Sequence, residues 1–593
     1  KPENPEHHLL SVTCHIQNPD PAGQIVSLAN WIPGSYLIRD FSKHLIQLNA
    51  KTVTGAPLNI QSVTTSRWQI EPCNTPLVIE YQVYAWDLSV RGAHFDLTHG
   101  FFNGTSVFLA IEGQRHQPCE VSLEHAQHSR DQGWQIATTL PSLEIDSDGF
   151  GRYQAQHYWD LIEYPVEMGH FYRLSFEAAG VAHEMVITGK VDLDQLDQSR
   201  LITDLTQICE TELALFGEPY PIERYLFQVT VTEKDYGGLE HLNSTALICA
   251  RDDLPYLQDP QRTPGYLRFL ELCAHEYFHL WNVKRIQPKV YQRPTLSEPV
   301  YTQQLWWFEG VTSYYDCQFL LRAGILDHQA YLNLLAIEMT RVYRMPGRFK
   351  QSVAESSWHT WTKFYQQDEN APNAIVSYYG KGSLIALALD LTIRAQTNGH
   401  KSLDTVLLYL WQHYGQTATG LAEGEIERVC SEVTQLDLTG FFAKALYGTD
   451  DLDFESLFAP FGIQFSLRPA NHLKDEGGKP TTQRYPCSIG ANCQPTAQQT
   501  LLLTHIWQNQ PAANAGLAAG DELIALDGLK VKTLEGLENR LSRYQPGQQL
   551  KCAYFRRDEL METTLTLQAP EKDRVVLTTL PTHKRKPLPW PIK

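Results

Sequence analysis

The stretch "CAHEYFHLWNVKRIQP", from Cys273 to Pro288, decides how this sequence is interpreted. It carries two histidines four residues apart, His275 and His279, with Glu276 directly after the first. Residues four apart share one face of a helix, so both imidazoles can reach one ion. Glu276 is offset from that face and can hold a water molecule. The HExxH spacing therefore predicts a site for one zinc ion.

The residues around the motif are mostly apolar, which predicts a buried helix running from Thr263 to Ile286. An ordinary helix with two packed histidines is the alternative interpretation. However, two buried imidazoles and a carboxylate need compensation, and a divalent cation supplies it. Zinc is the usual occupant of a site with two histidines and one glutamate.

A third protein ligand is required, because zinc hydrolases use three ligands and keep one position open. Two glutamates are candidates for this third ligand. Glu298 lies in "TLSEPVY", between prolines and outside any predicted helix. Glu309 lies in "LWWFEGVTSYYD", on a second predicted helix among bulky apolar residues. A carboxylate in such surroundings needs a partner, so we favour Glu309 as the third ligand.

Length, charge and cysteine usage exclude several classes of protein. The chain has 593 residues and a formal charge of −18; it needs several domains and lacks the basic face of a nucleic-acid binder. The basic cluster "THKRKP" near the C-terminus reads as a solvated tail. The longest apolar runs are too short for a membrane span. Eleven scattered cysteines without a CxxC pair, and no secretory signal pattern, favour a cytoplasmic location over a periplasmic one.

The pattern along the chain predicts a multidomain α+β protein. Short strand-like runs separated by turn residues dominate the first part of the chain, and helical periodicity dominates the middle. We predict the following organisation: an N-terminal β-sandwich-like domain (1–185), a catalytic domain with a mixed α/β start and then helices (186–468), a linker (469–486), a small mixed domain (487–570) and a C-terminal tail (571–593).

Several segments together resemble the M61 peptidases, the glycyl aminopeptidase family, which are gluzincins related to the M1 aminopeptidases. The resemblance rests on "HEYFHLWNVKRIQP" followed by "LWWFEGVTSYY". It extends to four more segments: "NWIPGSYLIRDFSKH" (30–44), "FDLTHGFFNGTSVFL" (95–109), "YGGLEHLNST" (236–245) and "SYYGKGSLIALALDL" (377–391). "QNQPAANAGLAAGDELIALDG" (508–528) resembles a bacterial PDZ domain.

This resemblance implies a thermolysin-like catalytic domain with a helical subdomain, followed by a PDZ domain. It implies a zinc-dependent release of N-terminal amino acids, with a leaning to small ones such as glycine and alanine. His275, His279 and Glu309 would hold the ion. Glu276 would act as the general base.

Two further roles follow from motifs of the related M1 enzymes. Tyr379 opens the sequence Tyr-Gly-Lys-Gly and matches the tyrosine of their YxKG motif, which stabilises the oxyanion; Tyr378 is the fallback. Glu240, in "GGLEH", matches the glutamate of their GxMEN strand, which binds the substrate α-ammonium, although His241 stands where that motif has asparagine. Gly237 and Gly238 would let the substrate backbone approach the strand.

Other functions remain open at this stage. A zinc endopeptidase would use the same metal site without needing Glu240. A PDZ adaptor with an inactive peptidase domain would bind peptides or C-termini by strand addition. Peptides are the expected substrates, and the PDZ domain is a second expected place of peptide binding.

Overall fold

The computed structural model describes residues 1–480, 486–580 and 588–591. The predicted solvated cluster "THKRKP" lies outside the described residues. The chain divides into two compact units. One comprises Lys1–Val300 with Trp411–Ala422, and the other Tyr301–Leu410 with Glu423–Lys593.

The N-terminal part of the first unit consists of small antiparallel sheets. Their strands alternate apolar and polar residues, as in "LVIEYQVY", so that one face of each sheet packs into an apolar core. The strands β1 to β15 are Leu9–Ile16, Ile25–Ser27, Leu45–Thr52, Pro57–Leu58, Ile60–Thr64, Arg67–Ile70, Leu77–Tyr84, Ala93–Phe95, His99–Phe102, Ala110–Ile111, Cys119–Leu123, Gln135–Ala137, Ser142–Ile145, Gly151–Ala155 and Val166–Gly169. Their sheet orders are β1-β7-β3-β4, β10-β2-β6-β5, β11-β14-β13 and β12-β15-β9-β8.

A five-stranded sheet follows, in the order β16-β17-β18-β20-β19. Its strands β16 to β20 are Phe171–Ala178, Val181–Thr188, Arg224–Thr232, Gly237–Glu240 and Ser244–Ala250. The middle strands β17, β18 and β20 are parallel, and β19 is an antiparallel edge strand. The first two strands fall largely before residue 185, so this sheet takes in residues that we assigned to the N-terminal domain. These two strands belong to the five-stranded sheet because β17 pairs with β18, which lies well after it in the sequence.

Two long helices of the first unit pack against this sheet. The three short helices α1 to α3 and the two long helices α4 and α5 are Gly104–Val107, Gln127–Gln132, Tyr158–Leu161, Gln198–Phe216 and Pro264–Phe278. Helix α5 contacts both β19 and β20, which brings its side chains next to the edge strand. None of the helices in the described part of the chain combines the length and apolarity needed to cross a bilayer.

The second unit is mainly helical before its C-terminal sheet. Helices α6 to α14 are Thr312–Arg322, His328–Tyr343, Val353–Trp358, Ala371–Ala374, Gly380–Gln396, Leu403–Leu410, Glu425–Thr434, Thr439–Ala445 and Phe454–Phe458. Short 3-10 segments of the chain are Pro5–His7, Phe41–His44, Arg251–Asp253, Lys289–Tyr291, Pro346–Phe349 and Ala459–Phe461; π-helical turns are Trp306–Val311, Thr360–Phe364 and Trp411–Gly415.

The C-terminal part of the second unit contains a two-stranded and a larger antiparallel sheet. Strands β21 to β28 are Ile463–Pro469, Ala491–Pro495, Leu501–Ile506, Glu522–Leu526, Leu529–Lys530, Gln549–Arg556, Glu559–Thr566 and Lys572–Thr579; helices α15 and α16 are Pro511–Asn514 and Leu534–Leu541. Strands β22 to β27 form the larger sheet around one core.

The predicted C-terminal tail contains ordered structure that we did not expect. Strand β28 lies in this segment but pairs with β21, and Trp590 is 7% exposed. Pairing with a strand far away in sequence orders this polar segment, which composition alone does not reveal. In the predicted linker, Asp475 forms a local 2.5 Å ion pair with Arg468.

Candidate active site

Helix α5 carries the two histidines at its C-terminal end. Thr263 caps the N-terminus of the helix with its side chain. The helix ends at Phe278, with His279 as the C-cap residue, so our predicted helix to Ile286 is too long. The ring centroids of His275 and His279 lie 4.8 Å apart, which places both imidazoles on one side of the helix end.

The turn after the helix orients His279. Its Nδ1 lies 2.7 Å from the carbonyl oxygen of Asn282. Because a carbonyl only accepts, Nδ1 donates and Nε2 keeps a lone pair for a metal ion. The backbone N–H of Lys284 donates to the carbonyl of His279 at 3.1 Å. Val283, between them, has φ of 141°, a strained conformation for a β-branched residue.

The carboxylate of Glu276 lies against the edge strand β19. Glu276 is only 5% exposed. A Cβ atom at Gly238 would lie 2.1 Å from its Oε1, whereas a Cβ at Gly237 would have Nη1 of Arg91 as nearest neighbour, at 3.6 Å. A side chain at position 238 would therefore displace the carboxylate, while position 237 tolerates one.

Glu240 ends the same strand and lies beside the helix residues. Glu240, Glu276 and His279 are all buried, and their ligand atoms lie within 4.8 Å of one another. Gly34 covers Glu240 from the other side: a Cβ there would lie 2.5 Å from Oε2 of Glu240, and the φ of Gly34 is 89°. The carboxylate is thus enclosed between helix α5 and the turn at Gly34.

An ion pair to which the sequence pattern assigned no role lies beside Glu240. The ammonium of Lys284 lies 3.7 Å from Glu240 and 3.0 Å from Glu163. Burial alone would raise the pKa of Glu163, but Lys284 and His241 outweigh it and lower that pKa to about 2. The "KR" pair after the HExxH motif was the only sequence signal for Lys284, and nothing in the sequence pointed to Glu163.

Carboxylates and cations are mixed in this cluster. Burial lowers the pKa of the Arg285 guanidinium to about 10, and the nearby carboxylate of Glu163 opposes that shift. Burial also lowers the pKa of His241, which favours its neutral form near pH 7.

In the second unit, Glu309 lies in the π-helical turn Trp306–Val311 and is 2% exposed. Such turns often occur at functional sites. The turn packs closely against the start of helix α10: a Cβ at Gly310 would lie 2.7 Å from the backbone of Gly382. This close approach brings the residues before α10 near Glu309.

The two neighbouring tyrosines before α10 differ in their surroundings. Tyr378 is fully buried, and its hydroxyl accepts a 3.0 Å hydrogen bond from Thr360. Burial raises the pKa of Tyr378, and Glu309 raises it further. Tyr379 is partly exposed at the N-cap of the helix. Only Tyr379 therefore presents a ring that a ligand can reach.

The donor set fits a divalent metal ion. The predicted group of metal ligands consists of His275 and His279 in the first unit and Glu309 in the second; His275 is half-buried, and the other two are buried. Two imidazoles and one carboxylate are the ligands of many zinc hydrolases. Glu298 is exposed and belongs to no such group in the described part of the chain.

Three family descriptions match the sequence. Peptidase M61 N-terminal domain matches residues 1–170, M61 glycyl aminopeptidase matches residues 268–385, and PDZ domain matches residues 481–567. The predicted multidomain α+β class is thereby confirmed, with a sheet-rich N-terminal domain, a catalytic region and a C-terminal PDZ domain. A search of the curated proteins found no match.

Solved structures extend this comparison. An aminopeptidase N family protein from Idiomarina loihiensis is 41% identical, with a TM-score of 0.94, and the match covers 98% of this chain and 97% of that one. Aminopeptidase A from Legionella pneumophila, solved with aspartic acid, is 14% identical with a TM-score of 0.47, covering 74% of this chain and 47% of that one. An M1 zinc metallopeptidase from Deinococcus radiodurans is 12% identical with a TM-score of 0.43, covering 72% and 88%. The domain matches and the first of these structures show that the chain belongs to the M61 peptidase family.

Proposed function

We propose that this protein is a zinc-dependent aminopeptidase that removes residues from the N-termini of peptides. The observation that carries the proposal is the position of Glu240 beside Glu276 and His279. A substrate whose α-ammonium pairs with Glu240 brings its first peptide bond next to Glu276. Because a carboxylate pairs with a charged α-ammonium and not with the neutral amide of an internal residue, Glu240 favours a free N-terminus over an internal segment of a longer chain.

The proposed residues divide the chemistry among them. His275, His279 and Glu309 would hold one zinc ion. Zinc bound there would lower the pKa of a water molecule and polarise the scissile carbonyl. Glu276 accepts the proton of the attacking water and delivers it to the leaving nitrogen as the carbon–nitrogen bond breaks. Tyr379 donates a hydrogen bond to the carbonyl oxygen as negative charge develops there.

Metal content and substrate blocking test this proposal together. We expect about one zinc per purified chain, loss of aminoacyl 4-nitroanilide hydrolysis on dialysis against a chelator, and recovery when zinc is returned. Acetylation of the substrate amine should reduce kcat/KM at least a hundredfold, because the neutral amide can no longer pair with Glu240 as an ammonium does. Elemental analysis and steady-state kinetics measure both effects.

Two outcomes would favour other functions. Equal cleavage of acetylated and free substrates would indicate an endopeptidase. A chain that binds no metal and cleaves neither substrate would indicate an adaptor with an inactive peptidase domain.

The neighbouring tyrosines offer a matched pair of variants. We expect Tyr379→Phe to lower kcat about a hundredfold with little change in KM or zinc content, since a hydrogen bond made mainly in the transition state is lost. Tyr378→Phe should keep kcat within a few-fold, because that side chain is fully buried and a substrate cannot reach it. A larger loss of kcat in Tyr378→Phe than in Tyr379→Phe would reverse the assignment.

The PDZ domain suggests peptide binding at a second place. Its strand β22 is the edge of the larger sheet and is suited to strand addition. The domain also packs within its own unit, where the side chain of Asn373 donates to the carbonyl of Ile506 at 2.8 Å. We propose that it docks extended segments of peptide substrates.

We also propose a cytoplasmic location. All eleven cysteines, each within the described residues, are free, which supports a reducing compartment.

A further inference from the structure

The turn between strands β8 and β9 brings two histidines and an aspartate together. His94 lies in β8, Asp96 in the turn and His99 at the start of β9. Each offers one ligand atom, and these atoms lie within 4.8 Å of one another. His94 and His99 are 5% and 7% exposed. The hairpin therefore gathers three metal-ligating side chains at a largely buried place that the proposed reaction does not use.

The pleat of the sheet explains why the two imidazoles meet. His94 pairs with Phe101 across β8 and β9, and His99 lies two residues before Phe101 on the same strand. Residues two apart on a strand project from the same face. Glu167 on β15 pairs with Phe101 from the other side, so its carboxylate belongs to that face as well. The rings of His94 and His99 accordingly lie side by side, with centroids 4.9 Å apart.

The carboxylate of Glu167 orients His99. Nδ1 of His99 lies 3.1 Å from Oε1 of Glu167, which also accepts a 3.0 Å hydrogen bond from the hydroxyl of Thr188. Because the carboxylate oxygen accepts, Nδ1 donates, and the neutral ring keeps its lone pair on Nε2. Histidines that bind metals are commonly held by a carboxylate in this way. His99 is thus oriented as a ligand through Nε2.

The other imidazole lies between the carboxylate of Asp96 and a small cavity. Nε2 of His94 is 3.2 Å from Oδ2 of Asp96, close to the roughly 3.3 Å that separates neighbouring ligands of a tetrahedral ion with ~2.0 Å bonds. Nδ1 of His94 and Oε1 of Gln228 are buried, and neither has a hydrogen-bond partner among the residues that the structure describes. Both residues line the same small cavity.

The tautomer of His94 decides what this arrangement suits. A neutral ring that donates from Nε2 to Asp96 has its lone pair on Nδ1, so two acceptors, Nδ1 and Oε1 of Gln228, would share one cavity. A ring that binds a metal ion through Nε2 carries a hydrogen on Nδ1, which matches that oxygen. The amide nitrogen of Gln228 donates to the carbonyls of Ala137 and Pro165, which fixes Oε1 as the acceptor. Metal binding therefore matches two buried atoms that the metal-free neutral ring leaves unmatched.

Asp96 is fixed by the turn that it occupies. Its Oδ1 accepts hydrogen bonds from the backbone N–H of Thr98, the hydroxyl of Thr98 and the backbone N–H of His99, at 2.7, 2.6 and 3.1 Å. These three bonds leave Oδ2 for His94 or for an ion. The side chain of Asp96 is 26% exposed, which provides an open side from which an ion can reach the two imidazoles.

We propose that His94, Asp96 and His99 form a second metal site, which takes one zinc or a similar divalent transition-metal ion. Two imidazoles and one carboxylate suit zinc, and water completes the coordination at the exposed side of Asp96. The ion joins β8, the turn and β9, so its role is structural. Because binding replaces the hydrogen bond between His94 and Asp96, the site fills only when zinc is supplied to the purified protein.

A second group of side chains competes for such an ion. His125, Asp146 and Asp148 also place ligand atoms within 4.8 Å of one another. That group offers one imidazole, and the side chain of Asp146 is 46% exposed, so its carboxylate is hydrated without an ion. It is the weaker donor set and provides the control.

Counting ions tests the proposal. Each protein is dialysed to equilibrium against micromolar zinc, and elemental analysis gives the zinc content per chain. We expect the unmutated protein to hold one ion more than His99→Gln and Asp96→Asn, whereas His125→Gln, the matched control, keeps the full count. Thermal unfolding of the same samples shows whether each variant is folded. Because the result is a difference of one ion, it holds whether or not zinc occupies the candidate active site.

Crystals of the unmutated protein make the test independent of how the variants fold. Grown from protein with two equivalents of zinc, they should give an anomalous difference peak between His94, Asp96 and His99 at the zinc absorption edge.

Four results would overturn the proposal. Equal zinc content in the unmutated protein and the two folded variants, or no anomalous peak at the hairpin, would show that hydrogen bonds or a protonated His94 hold this cluster without a metal. Loss of the additional ion in His125→Gln alone would assign it to the other group. Binding only at millimolar zinc would indicate an adventitious ion only.

Discussion

Replacing Glu276 with glutamine is expected to lower kcat at least a thousandfold while zinc stays bound. The amide has the same shape as the carboxylate and keeps the packing against Gly238, but it cannot accept the proton of water. Because Glu276 is offset from the histidine face of the helix, the zinc ligands are untouched. Elemental analysis and kcat of the same preparation measure both quantities.

Glu298→Gln is the matched control for this variant. Glu298 is an exposed carboxylate, and its loss should leave both kcat and zinc content near the original values. If Glu276→Gln retained more than a tenth of the original kcat, Glu276 would not be the general base. Loss of zinc in Glu298→Gln would instead return Glu298 to consideration as a ligand.

Adding one methyl group at position 238 is expected to lower kcat/KM at least a hundredfold. In Gly238→Ala the new Cβ would lie 2.1 Å from Oε1 of Glu276, so the carboxylate must move. A displacement of about 1 Å in a reacting group can cost a factor of ~100. The methyl group also stands on the strand edge that the substrate is proposed to approach.

The adjacent glycine provides the control. In Gly237→Ala the nearest atom to the new Cβ is 3.6 Å away, an ordinary contact, and kcat/KM should stay within a few-fold. Thermal unfolding of both variants separates a local shift from a loss of folding. Similar losses of activity in the two variants would show that the position of the Glu276 carboxylate does not require the absence of a side chain at position 238.

Local patterns in the sequence were sufficient for some features. The spacing of His275 and His279 predicts their side-by-side placement because helical geometry repeats every 3.6 residues. The apolar strand runs and the PDZ turns were also recognisable. Each of these features depends on residues close together in the chain.

Other features needed the folded chain. The helix stops at Phe278, although its apolar pattern continues to Ile286, and the backbone beyond it leaves helical geometry, with φ of 141° at Val283. The polar segment around Lys572–Thr579 becomes a strand because Ile463–Pro469 offers a partner.

By itself, the sequence determined the candidate metal ligands, the candidate base and the order of domains, because short spacings and family motifs encode them. Only the tertiary structure decided that Glu240 lies against Glu276 and that Glu163 holds Lys284. These contacts join strands, helices and turns that are far apart in the chain. Their geometry follows from how the sheet and helix α5 pack, which no local pattern of residues specifies.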